Sequence, residues 1–142
     1  MRQSSASAEW NGGLKDGKGV FSTGSGVIAN ASYTFATRFG EDRGTNPEEL
    51  IAASHAACFS MALSAQLGER GMIPESVRTT ATVTLDKTDS GFGVTRSHLD
   101  VVARIPGGDQ AKFDEAAQAA KMGCPISKLL NTEITLSARL DA

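Results

Sequence analysis

Residues 44 to 71 constrain the fold more than any other stretch of the chain. Gly44-Thr45-Asn46-Pro47-Glu48-Glu49 carries the signals of a helix start. Thr45 or Asn46 can cap it, Pro47 suits the first turn, and Glu48 or Glu49 can close a capping box, depending on which residue caps. The pattern predicts a helix running to about Leu67, ended by Gly68 or Gly71. From Leu50 to Leu67 the sequence is apolar almost all round, which predicts a buried helix rather than a surface one. Its many Ala and Ser residues allow another element to approach closely.

The segments around that helix read as strands and one more long helix. Lys18–Ser22 and Tyr33–Phe39 alternate with the period of half-buried strands, with glycines at 12, 13, 17, 19, 24 and 26 marking turns or bulges. In the second run Tyr33, Phe35, Thr37 and Phe39 share a face and Arg38 points to the other. Val77–Leu85 and Gly93–Ile105, rich in β-branched residues, predict an antiparallel hairpin. Asp109–Met122 predicts a helix with Phe113, Ala116, Ala117 and Ala120 as its apolar stripe and Gly123 at its end. A short helix can start at Pro125, and Glu133–Leu140 is a last alternating strand. The expected architecture is a single α+β domain over residues 1–142, with two main helices packed on a largely antiparallel sheet.

Composition excludes several classes of function. Lys and Arg are scattered and the formal net charge is -2, so no basic stripe or aromatic-basic interleaving offers a nucleic-acid surface. The segment Met1–Trp10 lacks the apolar core of a signal peptide, and no apolar run is read as long enough to span a bilayer. A cytoplasmic protein without a membrane partner is the expectation. Two Cys, two His and no CxxC are a poor match for structural zinc, although His55 and Cys58 could hold half a site. No metal or cofactor is expected.

The two cysteines, Cys58 and Cys124, are the chemically distinctive residues. In a reducing compartment such a pair points to transient thiol redox chemistry more than to structural stapling. A peroxide-reducing thiol must be a thiolate, whereas an unperturbed Cys, with a pKa of about 8.5, is mostly protonated at neutral pH. An arginine can hold the charge, and Arg38 is a candidate, with Glu48 or Glu49 to orient it. Taken singly, each residue also has a structural explanation. Cys58 can be a small buried hydrophobe, Arg38 a solvated strand residue, and Glu48 and Glu49 stabilisers of a helix N-terminus. His55 reads as a satisfied core polar group and His98 as a strand surface residue.

Thr37-Arg38-Phe39, the run from Gly44 through His55-Ala56-Ala57-Cys58-Phe59 to Leu63, and Gly123-Cys124-Pro125-Ile126-Ser127 together resemble the OsmC/Ohr family of thiol peroxidases. Thr37-Arg38-Phe39 and His55-Ala56-Ala57-Cys58 resemble the OsmC branch more than the Ohr branch. The resemblance implies that Cys58 is the peroxide-attacking cysteine and Cys124 the resolving one. It also implies that Arg38 activates the thiolate and that Glu48 pairs with Arg38. It further implies an OsmC-like fold in an intertwined homodimer, with active sites at the interface.

The implied activity is reduction of organic hydroperoxides to alcohols, through a Cys58 sulfenic acid and a Cys58–Cys124 disulfide that a dithiol reductant reopens. An apolar site with residues such as Phe39, Phe59 or Met61 would suit such a substrate. Two other readings use the same cysteines: a redox-responsive binding protein that forms the disulfide without turnover, and a stress protein with inert thiols.

Overall fold

Thr34 decides the geometry of the segment that carries Arg38. Its side chain accepts a hydrogen bond from the Thr37 backbone N–H at 3.2 Å, and the Thr37 hydroxyl takes the Thr34 N–H at 2.9 Å. This reciprocal capping box starts a short helix, α1 (Phe35–Phe39), where the alternating pattern predicts a strand. Arg38 therefore lies on a helix. Phe35 and Phe39, four residues apart, meet with ring centroids at 4.9 Å.

The computed structural model describes all residues, Met1–Ala142. The remaining elements, in chain order, are β1 (Ala6–Asn11), β2 (Lys18–Thr23), β3 (Ala31–Tyr33), α2 (Pro47–Glu69), β4 (Ser76–Thr88), β5 (Gly91–Arg104), α3 (Gln110–Gly123), α4 (Pro125–Leu129) and β6 (Glu133–Asp141). The architecture is α+β. The chain divides into two compact units, Met1–Leu50 and Ile51–Ala142, and α2 passes from one into the other.

The first unit holds a three-stranded antiparallel sheet in the order β1-β2-β3. β1 has almost no apolar pattern, which is why the sequence does not announce it. Its register places Trp10 opposite Gly19, which in turn faces Tyr33. A side chain on Gly19 would meet the Tyr33 and Trp10 rings at 2.4 to 2.7 Å, so glycine is what lets the two aromatics close over the strand.

In the second unit, β4 and β5 form the expected hairpin, joined at Asp89-Ser90 and bulged between Thr84 and Leu85. β6 pairs parallel to β5, so the sheet is mixed, with the crossover through α3 and α4. Alternate residues of β5, from Ser97 to Ala103, are buried. Leu99, Val101 and Ala103 join Phe113, Ala116, Ala117 and Ala120 of α3 and Phe59, Leu63 and Leu67 of α2 in one core. The side chain of Asp109 caps α3 through the Lys112 N–H at 2.9 Å.

Asn46 is the residue that caps α2, accepting from the Glu49 N–H at 2.8 Å. The helix passes through Gly68 and ends at Glu69, followed by Gly71 at a positive φ of 75°. Two expectations about this helix need correcting. It is buried on one side only: His55, Phe59, Leu63 and Leu67 face inward, while Ala53, Ser54, Ala57, Met61, Ser64 and Ala65 are exposed. Uniform apolarity is therefore not a core position on all sides. The helix is also long and apolar enough, by length and composition alone, to cross a membrane, contrary to the reading that no run is. Its inward face is built into a protein core and carries the hydrogen-bonded His55.

Candidate active site

The Gly123-Cys124-Pro125 sequence makes Cys124 the joint between two helices. The residue before a proline is pushed out of the helical region, and Cys124 takes φ -56° and ψ 128°. It ends α3, its N–H donating to the Ala120 carbonyl at 2.9 Å, and it begins α4, its own carbonyl accepting from Lys128 at 3.1 Å. Pro125 takes the first helical position, where no N–H is needed. The bend leaves the Cys124 side chain fully buried and aimed at α2.

Cys58 waits there, half-buried on α2. Both cysteines are free thiols, and Cys124 Sγ lies 2.6 Å from Cys58 Sγ. The two sulfurs, 66 positions apart in sequence, are within easy reach of the 2.03–2.05 Å of a disulfide. Burial pushes the Cys58 thiol up, and so does the thiol of Cys124, through its hydrogen bond and its charge; a hydrogen bond with the Ile126 backbone pulls in the opposite direction. None of these influences is a cation.

His55, one turn before Cys58 on α2, is fully buried and saturated with hydrogen bonds. Its Nδ1 is 2.7 Å from Ser97 Oγ on β5, and its Nε2 is 2.8 Å from Ser127 Oγ on α4. Burial lowers its pKa, favouring the neutral ring. The reading of His55 as a satisfied core polar group agrees with this arrangement. His98, read as a surface residue, is half-buried and bonded to Thr135 Oγ1 at 2.6 Å.

Arg38 and Glu48 form a second cluster, within the first unit. The guanidinium grips the carboxylate with Nη2 to Oε1 at 2.8 Å and Nε to both oxygens at 3.3 Å. Arg38 also lies over the Phe39 ring, 5.1 Å from its centroid. Glu49, the other carboxylate considered, is exposed. Beside this pair is a mostly apolar cavity of about 220 Å³, lined by Trp10, Leu14, Tyr33, Phe35, Arg38 and Phe39. Of the three apolar residues expected at a site, only Phe39 lines it. Phe59 is wholly in the core, and Met61 is 77% exposed on the outer side of α2. Trp10 and Leu14 went unnoticed as cavity residues because β1 and the turn after it carry no recognisable strand pattern, whereas Tyr33 was read only as part of a strand face.

Residues 40–139, which include both cysteines and Glu48, match the family model described as OsmC-like protein. The chain belongs to the OsmC-like protein family. It is 54% identical over 133 residues to Peroxiredoxin OsmC of Escherichia coli (strain K12), covering 94% of this chain and 93% of that protein. It is 32% identical over 97 residues to the organic hydroperoxide resistance protein of Xanthomonas axonopodis pv. citri (strain 306), covering 66% of each. Among solved structures, the organic hydroperoxide resistance protein OhrB of Bacillus subtilis superposes with a TM-score of 0.68 at 28% identity, over 96% of this chain and 97% of that one. The OsmC-like protein VCA0330 of Vibrio cholerae shares the fold, with a TM-score of 0.76 at 16% identity. The higher identity and fuller coverage agree with the motif resemblance to the OsmC branch.

Proposed function

We propose that the protein is a thiol-dependent peroxidase that reduces organic hydroperoxides to alcohols. The observation that carries this reading is the pair of free thiols at 2.6 Å in an OsmC-like chain. The names of its relatives, a peroxiredoxin and organic hydroperoxide resistance proteins, point to the same chemistry.

In the proposed mechanism the Cys58 thiolate attacks the distal oxygen of ROOH. The O–O bond breaks, RO⁻ leaves and takes a proton to give the alcohol, and sulfur is oxidised to sulfenic acid. The Cys124 thiol then displaces hydroxide from that sulfur. The S–S bond forms and water leaves. A dithiol reductant supplies two electrons and two protons to restore both thiols. Arg38 holds the Cys58 thiolate and the peroxide, and Glu48 fixes the guanidinium plane. The aromatic cavity beside Arg38 takes the organic group.

Arg38 and Glu48 act across a homodimer interface in this reading. Two observations support it. The influences that raise or lower the Cys58 thiol include no cation, and a thiolate at neutral pH is favoured by one. The exposed side of helix α2 carries small residues, Ala53, Ser54, Ala57, Ser64 and Ala65, around Met61, which suits close packing against a second copy.

Steady-state consumption of cumene hydroperoxide with dithiothreitol as donor tests the proposal. Turnover dependent on Cys58 is expected. A disulfide that forms once, with no turnover under excess dithiol, would sink the peroxidase reading and favour a redox-responsive binding protein.

A further inference from the structure

His55 has no role in the peroxidase steps above, yet its position ties together the parts that make them possible. Three elements must be held for Cys124 to meet Cys58: α2, which carries Cys58; β5, on which α2 packs; and α4, whose first turn begins at Cys124. His55 is bonded to two of these from the third. Its ring sits on α2, three residues before Cys58, with Ser97 of β5 at 2.7 Å and Ser127 of α4 at 2.8 Å. All three side chains are buried. α4 has only five residues and is too short to hold its place by its own backbone bonds. Only Ser127 among its residues is buried, so the helix has almost no apolar anchor.

We propose that His55 is the positioning residue of the redox pair: through Ser127 it clamps α4 to α2 and so keeps Cys124 within bonding reach of Cys58. This role rests on the proposed thiol chemistry, since it matters only if the two sulfurs combine. The neutral imidazole suits it, because one ring nitrogen donates and the other accepts, and each serine hydroxyl can do either. A protonated ring could only donate, and its charge would be buried with no carboxylate among its hydrogen-bond partners. Burial keeps the ring on the neutral side.

The test is the equilibrium between the Cys58–Cys124 dithiol and its disulfide in defined mixtures of reduced and oxidised dithiothreitol, which needs no peroxide. Ser127→Ala removes one hydroxyl and leaves the fold a small residue to accommodate. Freeing α4 is expected to lower the equilibrium constant for closing the disulfide by about five- to tenfold, roughly the worth of one hydrogen bond. That moves the reduction potential about 20–30 mV towards more oxidising values. Ser60→Ala is the control. It removes a hydroxyl of α2 that binds Thr79 of β4, rather than α4, at 2.8 Å; its potential should stay within twofold of the parent's in equilibrium constant. His55→Leu should match Ser127→Ala. His55→Gln, whose terminal amide can reach Ser127, should recover most of the difference.

An unchanged potential in Ser127→Ala, or an equal shift in Ser60→Ala, would overturn the proposal in favour of general packing. A parent protein that fails to turn over hydroperoxide yet shows these shifts would remove the peroxidase reading and support the clamp.

Discussion

Glu48 and Cys58 lie ten residues apart on one unbroken helix, α2, which runs from Pro47 to Glu69. At 1.5 Å per residue they are separated by about 15 Å along the helix axis. The Arg38–Glu48 pair belongs to the N-terminal end of that helix, and the thiol pair to its middle. A break between them would have offered another way to bring the groups together, but the helix has none. Mixed dimers of Cys58→Ser and Glu48→Ala chains are therefore expected to regain peroxidase activity through one intact composite site. Each variant alone should have lost most of it. Verified heterodimers without recovered activity, or a fully active monomer, would end the composite-site model.

The two cysteines should separate by kinetic step. Cys58→Ser is expected to abolish hydroperoxide consumption. Cys124→Ser should still complete one turnover and leave a sulfenic acid on Cys58, trappable with dimedone and visible by mass spectrometry. Cys124 sits where α3 stops and α4 starts, so a first oxidation lost only in the Cys124 variant would reverse the two roles.

Arg38→Met should raise the Cys58 thiol further and slow its oxidation by about tenfold or more, because the cation that favours the thiolate is gone. The absorbance of the thiolate, titrated in mutant and parent protein, reads the first effect. Superimposable titration curves with equal oxidation rates would remove Arg38 from the mechanism.

The stability of the fold should fall on the acid side through His55. Burial holds its folded pKa below the ordinary 6.5, so the unfolded chain binds more protons as pH drops below that value. The stabilising contribution is complete above about pH 6.5 and is lost as pH falls towards the folded value. Denaturant midpoints measured between pH 7 and 5 should decline in the parent and decline less in His55→Gln, which has no ring to protonate. Equal slopes would mean that the carboxylates account for the whole acid response.

Asp109→Ala should cost about 1 kcal/mol of stability, the usual value of a helix N-cap. The bond it removes, to the Lys112 N–H, lies at the far end of α3 from Cys124. Urea midpoints should shift while the rate of Cys58–Cys124 disulfide formation stays the same. A parallel loss of both would show that Cys124 is held by α3 as a whole and not by its own turn.

Much of this protein was legible because local chemistry decides it. Asn46, Pro47 and the acidic pair start α2 wherever they are placed. Asp109 and the Phe113-Ala116-Ala117-Ala120 stripe define α3, and the β-branched runs at 77–85 and 93–105 pair because a short turn sets them side by side. The proline after Cys124 imposes the bend by steric exclusion. The family motifs, being contiguous, were readable for the same reason.

Other features depend on what meets what, and a linear pattern does not hold that information. Tyr33–Phe39 alternates like a strand, yet two threonine caps close it into a helix once β3 has ended at Tyr33. β1 is a strand only because β2 offers it a ladder. The uniformly apolar α2 gave no hint of which side would be covered; packing against β5 and α3 selected the side of His55, Phe59, Leu63 and Leu67 and left the other open. The link from His55 to Ser97 and Ser127 spans 42 and 72 positions. No spacing rule predicts such contacts, because they exist only once the sheet and the helix crossover have placed three distant hydroxyl and ring groups in one buried volume.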